Sequence, residues 1–262
     1  MKKHYLCHIE HPKHNIMKKL IIPITLLVLV AASCNPQAPN EVEVETYTLC
    51  DSVFIESEYG DGYSYFNVSL DLPVTKNKTL RKNILHWMLS DETEDHVGYL
   101  QSMRDGFFEE DGSEPRSEYE ENYTLSEQTD KYVTYTTEGY LYTGGAHEMP
   151  WYNGTTFSKI DGNIVGYDLF EEPEQLIDLI AENIENQYFA KLKKEDLFLD
   201  FEEITSLPNN EPWIETDSVV FCFEPYEIAS YAAGMPLCKI ALTDLKPYLS
   251  EKGKSLLNTL NQ

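Results

Sequence analysis

One short segment concentrates side chains that could bind or react: Gly144 and Gly145, then His147, Trp151 and Tyr152. Adjacent glycines open backbone angles that other residues avoid, so the chain can turn sharply and present the imidazole beside two aromatic faces. Aromatic faces next to a polar turn suit a sugar ring or a protein hot spot. The same residues also fit a structural turn, with His147 bonding a backbone carbonyl and the two rings lidding a hairpin core. On sequence alone both alternatives stand.

Catalysis asks for more: an acid–base pair, a nucleophile with its base, or a metal set. With 45 acidic groups in 262 residues, neighbouring carboxylates follow from composition and carry no weight. The chain holds no Gly-x-Ser-x-Gly, His-Glu-x-x-His, Cys-x-x-Cys or phosphate-binding glycine loop. No metal site or cofactor is expected; acid-rich turns such as Asp61-Gly62 lack the alternating oxygens of a calcium loop. The expectation is a non-catalytic protein, with a cell-wall hydrolase whose residues assemble only in space as the alternative.

The N-terminus says more about place than chemistry. From Met17, two lysines precede an apolar run over residues 20–32 that ends in Ala31-Ala32-Ser33-Cys34. Thirteen residues are too short to span a bilayer of about 30 Å, and a basic start with a small-residue end is a secretory signal. The final four residues resemble a bacterial lipoprotein signal, which implies that Cys34 is lipidated, becomes the first mature residue and anchors the chain outside the cytoplasm. His4, His8, His11 and His14 precede this signal and are set aside with it.

Residues 1–33 carry five lysines and one glutamate, so removing them moves the formal net charge from -25 to -29. Such a surface repels phosphate backbones, and no basic stripe offsets it, which excludes a nucleic-acid partner. It suits either a cationic partner or a hydrated, repulsive coat. Cys50, Cys222 and Cys238 remain besides Cys34. Cys222 and Cys238 sit in apolar runs that could be neighbouring strands, so either they form a disulfide or all three thiols are free.

The elements that must position these groups follow from periodicity. After a tether over 34–46, residues 49–59 and 63–72 read as strands around Gly60-Asp61-Gly62. Helices are expected over 76–89, with Leu80, Ile84, Leu85 and Met88 on one face, and more weakly over 97–108. Residues 111–122 read as an acidic loop. Strands follow over 123–128, 132–142, 155–160 and 164–167, then a long helix from Pro173 to about residue 193. Strands over 218–223 and 237–242, a helical turn over 245–249 and a tail over 251–262 complete the chain. Mixed elements without strict strand–helix alternation predict an α+β fold with antiparallel sheets and packed helices. The expected division is a module over 47–160 and a second over 161–250.

Two stretches carry a family resemblance. Tyr140, Gly144, Gly145, Ala146 and His147, followed by Tyr167-Asp168-Leu169-Phe170, resemble the hallmark of the RsiV-like extracytoplasmic family. The run from Phe221 to Ala229, with Tyr231, Gly234 and Asp244-Leu245-Lys246, is similar to that family's C-terminal strand, turn and strand. The resemblance implies paired extracytoplasmic domains of uncharacterised function and a binding role towards lysozyme-like proteins or cell-wall glycan such as peptidoglycan. Tyr226, Ile228 and Tyr231 read as core and turn-fixing residues, and Gly234 as the turn into the last strand.

Overall fold

A computed structural model of the protein describes residues 41–58, 60–89, 95–194 and 201–257. The expected signal and Cys34 lie outside the described residues. No described helix is long and apolar enough to cross a membrane.

The first half is one six-stranded sheet in chain order: β1 (Glu43–Ile55), β2 (Gly62–Val74), β3 (Glu118–Gln128), β4 (Tyr132–Tyr142), β5 (Met149–Ser158) and β6 (Ile164–Val165). Hairpin turns join most neighbours antiparallel, but β2 and β3 run parallel. A parallel pair needs a crossover, and here it consists of α1 (Lys78–Leu89) and α2 (His96–Glu109). Asn77 starts α1 by accepting from the Leu80 amide at 3.1 Å, and Asp95 caps α2 by accepting from Gly98 at 3.0 Å.

The crossover lays both helices on one sheet face. Leu80, Ile84, Leu85 and Met88, spaced by three and four, pack with Leu100 and Phe107 on Phe66, Val68 and Leu70 of β2. Strand periodicity fixes the rest of this inner face: Tyr119, Glu121 and Tyr123 of β3 lie beside Leu141, Gly139 and Thr137 of β4.

The second half wraps a three-stranded antiparallel sheet, β7 (Trp213–Glu215), β8 (Ser218–Cys222) and β9 (Leu237–Ala241). Its concealing element runs from the 3-10 turn Pro173–Leu176 through α3 (Ile177–Ile184) and the π-helical turn Glu185–Phe189 into α4 (Ala190–Lys194). Leu176, Ile180, Ile184 and Phe189 bury one face of that element against Val219, Phe221, Cys238 and Ile240. The opposite face of the small sheet presents Trp213, Val220 and Cys222 to Tyr152 of β5. Gly154 makes room there, since a Cβ on it would come within 2.5 Å of the Trp213 ring. The Ile214 amide donates to Thr156 Oγ1 at 2.9 Å, tying the sheets together. The fold is therefore α+β with two mostly antiparallel sheets.

Several expectations need correction. The 34–46 tether ends early, because Val42 is buried and Glu43–Glu45 already pair with Leu72–Val74. The acidic loop over 111–122 stops at the 3-10 turn Asp111–Ser113, and Glu118 to Asn122 belong to β3. Residues 251–257, read as tail, form a further helix (Glu251–Leu257), whose Leu256 and Leu257 are buried in the C-terminal core.

Cys222 and Cys238 are free thiols, and strand geometry explains why. Cys238 stands opposite Phe221, so Cys222 is one residue out of register with it. A one-residue offset puts two side chains on opposite sheet faces, Cys222 towards Trp213 and Cys238 towards the helical layer.

Candidate functional site

Strand alternation disperses the 144–152 segment. Trp151 and Tyr152 are consecutive on β5, so they leave the sheet in opposite directions. Trp151 lies on the inner face, 5.6 Å from the Tyr119 ring. Tyr152 lies on the outer face, edge-on to Trp213 at 5.7 Å. Gly144, at φ +83°, and Gly145 are exposed in the β4–β5 connection. Of the expected binding residues, His147 lines the cleft between the two sequence stretches.

That cleft has a volume of about 280 Å³ and joins the two sequence stretches. His147, Glu148 and Pro150 form one wall; Pro225, Tyr231 and Met235 form much of the other. The His147 and Tyr231 rings stack at 4.1 Å and 20°. Both also close on one acceptor: the Glu148 carbonyl faces His147 Nδ1 at 3.2 Å and accepts from the Tyr231 hydroxyl. The carbonyl bond foreseen for His147 is present, and the ring still lines an open surface. Burial and the Glu148 carboxylate raise the Tyr231 phenol, keeping it a donor.

Local chemistry holds the second wall. The Glu224 amide donates to Glu227 Oε2 at 2.8 Å, and the Asn209 amide to Glu227 Oε1 at 2.9 Å, bracing the turn after β8. Tyr188 of the long helical element donates to the Ala233 carbonyl, supporting the 3-10 turn Tyr231–Ala233 from below. The Tyr152 amide points at Met235 Sδ, 3.3 Å away, which fixes the cleft to β5.

Tyr226 corrects its assignment to the core. It is 71% exposed and held at φ +69°, a left-handed conformation that costs a bulky residue about 1–2 kcal/mol. Its ring lies 5.9 Å from Tyr231, extending the His147–Tyr231 stack to three exposed or half-buried rings. Tyr231 is likewise not core, whereas Ile228 is buried as expected.

A second polar group escaped sequence reading because it lay in the presumed loop. Glu121 is buried on the inner face, accepting from the Tyr119 hydroxyl at 2.8 Å and also from Tyr123 and Trp151. Burial raises its carboxyl above the ordinary range, and these donors partly offset the shift. Among the described residues, no group of three or more His, Cys, Asp or Glu side chains could hold a metal ion.

Comparison with known proteins places these features in context. Residues 167–242 match the family model described as protein of unknown function (DUF3298). The structure is similar to a crystal structure of a DUF3298 family member from Bacteroides fragilis NCTC 9343, with TM-score 0.64 and 13% identity, covering 82% of this chain and 96% of that one. It is also similar to a DUF3298 family protein from Pseudomonas aeruginosa PAO1, with TM-score 0.53 and 16% identity, covering 79% and 95%. At these identities the likeness shows the fold alone. No curated protein matches the chain. The matched stretch contains Tyr226 and Tyr231 but not His147, so the cleft straddles its edge.

Proposed function

We propose that this protein is a non-catalytic binding module of the cell envelope, anchored through a lipid on Cys34, whose docking point is the His147–Tyr231 cleft. Its partners are lysozyme-like proteins or cell-wall glycan, in keeping with the RsiV-like motifs. The observation that supports this reading is the exposed ring stack itself: His147 from one motif stretch lies on Tyr231 from the other, with strained, exposed Tyr226 beside them. Rings stacked at a cleft mouth give rigid apolar area at little entropic cost. A net charge of -25 adds long-range attraction towards a cationic protein.

The test is retention of lysozymes and of peptidoglycan by an immobilised 41–262 fragment at low and at moderate salt. Retention of either supports the module; no retention under both conditions contradicts it. For the anchor, Cys34→Ala is expected to release the protein from membranes.

A further inference from the structure

The cleft does not end at Pro150. That residue pairs with Tyr140 of β4, which pairs with Glu120 of β3, which pairs with Asn67 of β2. The next row two residues along each strand runs from Tyr142 through Glu118 to Tyr65. Both rows lie on the sheet face opposite the helices, because their neighbours Phe66, Val68 and Leu70 are buried under α1. The small sheet packs on this outer face at Tyr152, Gly154 and Thr156 of β5, beside Tyr132 of β4 and at Glu127 of β3, which accepts from the Thr216 amide.

These rows hold tyrosines and carboxylates and no lysine or arginine. Tyr65 is 39% exposed, and the Tyr140 hydroxyl donates to Glu118 Oε2 at 2.8 Å. Burial, then Glu118, Glu120 and Glu148, raise the Tyr140 phenol, and Glu120 stands directly opposite Tyr140 on β3 while Glu118 accepts from its hydroxyl. Rings flanked by carboxylates match the needs of a guanidinium or ammonium group, which takes a π-face and an anionic acceptor together while its methylene stem covers apolar surface.

We propose that the cleft and this outer-face strip form one continuous surface for a polypeptide segment bearing arginine or lysine, with one cationic side chain over the His147–Tyr231 stack and further ones along Tyr140, Glu118 and Glu120. Charge complementarity favours this occupant: a neutral glycan gains no long-range attraction from the carboxylates, and an anionic one is repelled. The proposal rests on the binding-module reading and names the chemistry that module recognises.

The test uses the full chain and a capped Gly-Arg-Gly-Arg-Gly peptide, with its citrulline counterpart as the neutral control. Calorimetry is expected to show salt-sensitive binding of the arginine peptide, weakened about tenfold in a Glu118→Gln, Glu120→Gln, Glu148→Gln triple variant and about as much by citrulline. The His147 ring resonances should move on titration with the arginine peptide and stay in place with a chitooligosaccharide. Equal affinity for the two peptides overturns the inference even if the triple variant fails to fold. Equal binding by a folded triple variant, or His147 shifts caused by the chitooligosaccharide alone, also overturns it. Retention of lysozyme or peptidoglycan alongside any of these results leaves the binding-module reading intact.

Discussion

Gly139 and Trp151 face each other across β4 and β5, and the indole lies over the bare glycine backbone to reach Glu121 on β3. The three residues form one row across three strands. A side chain at the middle position would block the outer two from meeting, since a Cβ on Gly139 would stand 2.6 Å from the indole.

Gly139→Ala is therefore expected to destabilise the protein by about 2 kcal/mol, through overpacking and loss of the Trp151 donor to Glu121. Urea unfolding measures this directly. A cost below a few tenths of a kcal/mol would mean that the indole rests elsewhere.

Glu121 makes stability depend on pH. Its folded carboxyl titrates above the unfolded value, so the folded state binds the proton more tightly. The resulting stabilisation is complete below the unfolded carboxylate range and is lost as pH rises through the raised value. Unfolding free energies over a pH series should fall across this window more steeply for the native chain than for Glu121→Gln. Parallel curves would refute the assignment.

The cysteine geometry gives a redox prediction. Burial pushes the Cys222 and Cys238 thiols up to about 12, and they face opposite sides of their sheet. In the folded 41–262 fragment exposed Cys50 should label rapidly, the other two only on unfolding, and reductant should leave the melting temperature unchanged. A melting transition lowered by reductant would restore the disulfide alternative.

Tyr226 separates stability from binding. Replacing it with glycine removes the left-handed strain, so Tyr226→Gly should leave stability unchanged or raise it by up to about 1 kcal/mol, while weakening partner binding. Thermal melts and binding assays on the same preparation read both effects. A destabilised variant would place the ring in a packing role.

Much of the architecture was legible from local pattern. The β1–β2 hairpin follows from alternation and the Gly60-Asp61-Gly62 turn, and the helical faces of α1 and α3 from three- and four-residue spacing. Glu118 to Asn122 misled because their acidity marks a loop, whereas in the sheet Glu118 accepts from Tyr140 and Glu121 is buried among donors. The parallel β2–β3 pairing joins residues about fifty apart, which no local pattern encodes.

The site was legible by half. The His147 loop stood out through its glycines, and consecutive Trp151 and Tyr152 on a strand had to diverge. The partnership with Tyr231 depends on how the two sheets pack, and Tyr226 looked like core because an exposed tyrosine at positive φ is a conformation that residue type does not announce.

The most direct measurement is retention of lysozymes and peptidoglycan by the 41–262 fragment, compared with a folded His147→Ala, Tyr231→Ala double variant at moderate salt. The cleft account predicts a partner held by the native fragment and lost by the variant. Equal retention by both, or none by either, would contradict it.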